Sequence, residues 1–302
     1  MKILKQFLQN RNTILLLALA FGLAVPYAAQ ATRNLILPAL ALIMILSTLE
    51  IGDDFFRRPR TLFFPALLGI VMSYIILGNL LIGLSSLLIL NEKLWIGFAL
   101  LAAAPPAIAV VAFSSFLNAS RFLSLVGTVG AYMGALAIMP LFIMGLLYVE
   151  TANLFKLVLI LLGLIVLPWI FSRLLIQKRW GKQLVSHHGL ITNWCFFIVL
   201  YTMVGLNRSL ILGDTARLLP VLLITFVSMF LLGILIDWIA TLLRLPMETR
   251  MSLVLLGTLK NQGLAGGIAL TLFTPEAALP SVVSTILMIA FIIWLGVKKR
   301  WE

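Results

Sequence analysis

Gly257-Thr258-Leu259-Lys260-Asn261-Gln262-Gly263-Leu264-Ala265-Gly266-Gly267 sets a lysine, two amides and four glycines inside an otherwise apolar segment running from about Met251 to Phe273. A lysine near the middle of a membrane helix costs roughly 2.5–3.5 kcal/mol on insertion scales, and glycines weaken a helix where its backbone groups could serve as ligands. Glycines at this spacing also let membrane helices pack closely, and a lysine within a turn or two of an interface can snorkel to it. About nine residues separate Lys260 from Arg250, and more than ten separate it from Thr274-Pro275-Glu276, a depth from which snorkelling is hard. Lys260 with Asn261 and Gln262 therefore reads as a polar binding site inside a membrane segment.

The rest of the chain supplies the membrane. Of 302 residues, 62% are hydrophobic and only 11% charged, a composition far from that of soluble domains. Apolar runs of about 17–25 residues recur with short polar connections between them. The predicted spans are 13–30, 35–52, 61–83, 94–113, 122–149, 154–176, 189–206, 217–243, 251–273 and 279–297, ten in all. Met1 to Arg11 followed by an apolar run and Ala29-Gln30-Ala31 imitates a secretory signal, but the tally of spans and charges favours a retained first helix.

An even number of spans puts both termini on one side. With the termini in the cytoplasm, only Arg33, Lys93, Lys156, Arg208 and Arg217 fall outside and Lys260 stays in the membrane. All other members of the 22 Lys and Arg residues lie inside. This positive-inside bias explains the formal charge of +12 by topology, and no nucleic-acid partner is needed. The expected location is a bacterial inner membrane, with the lipid bilayer as surroundings. Asp53-Asp54-Phe55-Phe56-Arg57-Arg58-Pro59-Arg60 reads as a solvated turn, and Gln177-Lys178-Arg179-Trp180-Gly181-Lys182 with His187-His188 as the connection between the halves. Adjacent histidines on an interfacial loop, with no carboxylate or cysteine near, make no metal set, and the lone Cys195 excludes an internal disulfide. No metal and no cofactor is expected.

Two of the spans are interrupted. The fourth carries Ala102-Ala103-Ala104-Pro105-Pro106-Ala107, where two prolines remove two backbone donors in mid-span. Exposed backbone at membrane depth is tolerated only where protein buries it or a watery cavity solvates it. Pro105 and Asn261 lie about half the chain apart, each in the fourth span of a five-span half. That pattern predicts an all-α membrane domain built of two inverted repeats, 1–150 and 151–302, whose broken helices cross near the midplane, where transporters bind substrates and ions.

These motifs resemble a known family. Asn261-Gln262-Gly263-Leu264-Ala265 is similar to the ninth-helix motif of the bile acid:sodium symporter family. Pro105 followed by Leu123-Ser124 and Thr128 resembles its fourth and fifth helices, and Asp54-Phe55 with Arg57-Arg58-Pro59 the turn after its second. The likeness covers essentially the whole chain. It implies ten helices in a panel and a core domain, and alternating-access transport of an organic anion. Where sodium-coupled members carry a glutamate and a glutamine in the ninth helix, this sequence has Leu256 and Lys260. The family's Ser-Asn pair falls on Val110 and Val111, and a third-helix glutamine falls near Gly69.

Ser124 and Thr128 alone remain of the first sodium site that the resemblance implies, and little beyond backbone carbonyls remains of the second. The substitution suggests that Lys260 replaces sodium, either as a fixed charge or as a carrier that loads and releases a proton, with Asn261, Ser124 and Thr128 orienting it. The competing reading has Lys260 touching an anionic substrate directly. Asp237 is either its counter-charge or an interfacial residue beside Arg244. The expected site is thus Lys260, Asn261, Gln262, Ser124, Thr128, Pro105 and Pro106, with a small organic anion as partner and proton or sodium open as coupling ion. Other readings are a non-transporting sensor or scaffold, and a conventional sodium symporter with other ligands. No nucleophile-and-base set, metal motif or paired intramembrane aspartates suggest an enzyme.

Overall fold

The structure, a computed structural model, describes residues 11–49, 59–147, 151–177, 181–213 and 215–298. The turn from Asp53 to Arg58, the connecting residues 178–180 and the side chains of His187 and His188 lie outside that description.

In chain order the helices of eight residues or more are α1 (Arg11–Ala24), α2 (Pro26–Thr48), α3 (Thr61–Leu88), α4 (Glu92–Ala103), α5 (Ala109–Phe116) and α6 (Arg121–Leu147). They continue with α7 (Leu154–Ile176), α8 (Gly181–Leu206), α9 (Arg217–Leu242), α10 (Met247–Thr258), α11 (Gln262–Leu272) and α12 (Glu276–Val297). Among the described residues there is no β-strand, and seven helices are long and apolar enough to cross a membrane. The protein is an all-α polytopic membrane protein.

The segments missing from those seven are informative. The fourth and ninth predicted spans are each divided, into helices of 12 and 8 residues and of 12 and 11 residues. The first ends at Ala24 instead of near residue 30, because Pro26 opens the next helix, where its fixed φ fits and its missing N–H costs no hydrogen bond. Consequently α2 starts at Pro26, well before the predicted residue 35. The short α1 is part of the packed bundle: Ile14 and Ala18 are fully buried, and Val204 of α8 presses against Gly22.

The helices form two groups. α1, α2, α7 and α8 pack on one another, while α3 packs on α6, α9 on α10 and α4 on α11. The α3–α6 contact is as close as backbones allow. A Cβ added at Gly69 would lie 2.0 Å from the carbonyl oxygen of Gly127, so any side chain there would force the helices apart. In α3 the ladder widens into a π-helical stretch over Val71–Gly78. Such stretches re-aim side chains relative to a regular helix, and here Ser73 and Tyr74 are buried.

Both interruptions have a local cause. α4 is capped by the Asn91 side chain, which accepts from the Leu94 N–H at 3.1 Å, and it ends where Pro105 pushes Ala104 into extended backbone. α10 ends at Thr258, Leu259 is extended, and Asn261 restarts the helix by accepting from the Leu264 N–H at 3.0 Å. The exposed backbone is then paired across the two breaks. Ala107 N–H donates to Leu259 O at 3.1 Å and Asn261 N–H to Pro105 O at 2.8 Å, so Pro106 and Lys260 face each other as an antiparallel bridge. Each interruption satisfies polar groups that the apolar surroundings could not.

Candidate functional site

In a continuous helix the carbonyl of Ala102 would accept from the N–H four residues on, but that residue is Pro106 and has none. Lys260 supplies the missing donor. Its Nζ donates to Ala102 O at 2.7 Å, Ala104 O at 2.8 Å and Ser73 Oγ at 3.0 Å, and it lies 4.6 Å from the centre of the Tyr74 ring. An ammonium has three N–H donors, and each finds an acceptor. The C-terminal end of α4, carrying the negative end of its dipole, and the face of the aromatic ring both favour positive charge at this point. Lys260 is 2% exposed, and among the described residues no carboxylate reaches it.

Asn261 works on both of its faces. While its oxygen caps α11, its Nδ2 donates to the Tyr132 hydroxyl at 2.6 Å, tying the break to α6. Gln262 is buried, and its Nε2 has no hydrogen-bond partner among the described residues. Together with Gly263 it lines a small cavity of about 40 Å³ at the start of α11, where the Gln262, Leu264 and Ala265 N–H groups already donate to Lys260 O, Asn261 Oδ1 and Asn261 O. Gly266 and Gly267 serve packing: added Cβ atoms would lie 2.3 Å from Met203 Cε and 2.8 Å from Leu40 Cδ1.

A second cavity, of about 890 Å³, lies between the two helix groups, with Met44, Thr48, Trp169 and Thr192 on one side and Arg121, Thr128 and Tyr132 on the other. Its volume is that of a site for a drug-sized molecule. Tyr132, Ile108 and Met44 line both cavities, so the larger one adjoins the α11 start. Among the described residues Arg121 is the only charged side chain on its wall, and the hydroxyls of Thr128 and Thr192 are buried there without partners.

The expected residues thus fall into separate places. Lys260, Asn261, Pro105 and Pro106 are brought together at the crossing, and Gln262 joins them from the start of α11. Ser124 and Thr128 do not orient Lys260. The Ser124 hydroxyl donates to Ser252 Oγ at 3.2 Å, tying α6 to α10, and Thr128 faces the large cavity. Asp237 is not the counter-charge of Lys260: its Oδ1 takes the Arg250 Nη2 at 2.8 Å and Nε at 3.0 Å. Leu256 and Val110 are fully buried, and a Cβ on Gly127 would meet Leu256 Cδ1 at 2.8 Å, so hydrocarbon fills those positions. Sequence reasoning did not single out Ser73, Tyr74, Tyr132 or Arg121. Pro106 offered a signal for one partner, since it orphans the carbonyl of Ala102. Comparison of the sequence with protein-family models and with curated proteins finds no match to either, so the functional reading rests on these residues.

Proposed function

We propose that the protein is a secondary transporter that moves an organic anion by alternating access, with the Lys260 ammonium standing where such carriers hold a dissociable cation. The observation that carries this reading is the pairing of two helix interruptions deep in an apolar bundle, beside a cavity of about 890 Å³. A merely structural bundle gains nothing from breaking two helices and burying an ammonium between them. Counting each divided helix as one crossing and α1 as another gives ten crossings. The halves 1–150 and 151–302 then form inverted repeats, both termini are cytoplasmic, and the chain falls in the bile acid:sodium symporter family that its motifs resemble.

The cavity supports an anion as substrate. Arg121 brings a positive charge, and at the inner end the Gln262 Nε2 amide stands without a partner among the described residues. Between them the wall is mostly apolar, including Phe122, Leu125, Trp169 and Phe196, which suits a hydrophobic body carrying a carboxylate or sulfonate. Lys260 lines neither cavity and spends its donors on protein oxygens, which favours the replaced-cation role over direct contact with substrate. The test is uptake by proteoliposomes of labelled benzoate, benzenesulfonate and cholate against matched organic cations. Anion-selective uptake is expected, with KM raised about tenfold in Arg121→Gln. Uptake of none of the anions, or equal uptake of cations, would sink the proposal.

A further inference from the structure

We propose that Lys260 is a permanently bound cation and that the carrier is consequently uncoupled: it exchanges or equilibrates its organic anion without drawing on a sodium or proton gradient. This rests on the transporter reading above and specifies how that site is energised. The array around Nζ has the make-up of a small monovalent-cation site, with two backbone carbonyls, one hydroxyl and an aromatic face at 4.6 Å. Its occupant is covalently part of the chain. Coupling requires an ion that binds from one side and leaves on the other, because only differential binding of the ion can bias the states of the carrier. A tethered ammonium contributes equally whichever side the substrate enters from.

A proton would need a relay to replace the missing ion, and among the described residues no carboxylate or histidine bonds Lys260. The titratable groups facing the site are Tyr74 from α3 and Tyr132 from α6, the latter through Asn261, and α4 presents carbonyls only. Asp237 of α9, the helix packed on α10, is held by Arg250. One turn before Lys260, Leu256 is fully buried, as is Val110 after the other break, so hydrocarbon stands at both positions. Neither cavity is lined by Lys260.

The experiment uses wild-type protein in vesicles with clamped membrane potential and labelled cholate, benzoate and benzenesulfonate as probes. Preloading with unlabelled probe is expected to speed its entry about tenfold over protein-free vesicles, while sodium or pH gradients leave the final internal level at equilibrium. Accumulation above equilibrium under either gradient would overturn the uncoupled inference and leave the transporter reading standing. Absence of exchange for every probe would overturn both. Lys260→Ala then opens the array to a free cation: exchange is expected to fall about tenfold and to return with methylammonium but not with the bulkier tetramethylammonium. A folded Lys260→Ala protein indifferent to methylammonium would count against the cation site. Should that variant not fold, the wild-type gradient measurement decides alone.

Discussion

At Pro105-Pro106 the chain breaks by losing backbone N–H donors, whereas at Leu259–Asn261 it breaks while adding donors from side chains. The first interruption therefore leaves carbonyls over, and the second brings the ammonium that takes two of them, at 2.7 and 2.8 Å. Neither half would be tolerable alone in an apolar bundle: unpaired carbonyls and an unpaired ammonium are each costly to bury. The pair teaches that the prolines and the lysine form one device, made by two segments about 150 residues apart in sequence. The carbonyl and N–H groups exchanged between Pro105 and Asn261 and between Leu259 and Ala107 hold the device in register.

The harshest way to break this complementarity is to remove the donor. Lys260→Met keeps an unbranched side chain, one atom shorter, but strands the carbonyls of Ala102 and Ala104. Unfolding in detergent is expected to show a loss of about 2–5 kcal/mol, with transport nearly abolished. Restoring the first break's lost donor attacks it from the other side. Pro106→Ala returns an N–H able to claim Ala102 O. Transport should fall about tenfold while the unfolding midpoint stays the same or rises; full activity would mean that the lysine–carbonyl contact is incidental. A milder effect is expected at the cap. Asn261→Ala should cost about 1–2 kcal/mol, and Asn261→Ser, which can still cap α11 but cannot reach Tyr132 in the same way, should recover most of it. Thr128→Val marks the lower bound, since its hydroxyl bonds no group among the described residues: stability should hold within about 0.5 kcal/mol, and only KM should move.

Both breaks were legible in the sequence because proline, glycine and an N-capping asparagine act on their own few residues. The apolar runs likewise gave the membrane class and most helices. Boundaries shifted where a single residue outweighed hydropathy, as at Pro26, which ends one helix and starts the next. Partners across the bundle were harder to read. Ser124 faces Ser252 rather than Lys260, and Tyr74 reaches the ammonium because a π-helical stretch re-aims it, a feature with no simple sequence signature. The large cavity depends on how two helix groups sit against each other, so Arg121 became a candidate only once the packing was in view. The lysine's depth was visible in the sequence, whereas the identity of its acceptors was visible only through the orphaned carbonyl of Ala102.

The central claim is that the ammonium of Lys260 serves an organic-anion carrier in place of a free cation. Exchange of labelled cholate, benzoate and benzenesulfonate in strictly sodium-free proteoliposomes, comparing wild type with Lys260→Gln, tests it most directly. The account predicts exchange by the wild type without sodium and its loss in the variant, which keeps two N–H donors but not the charge. Exchange that starts only when sodium is added, or that survives undiminished in Lys260→Gln, would contradict it.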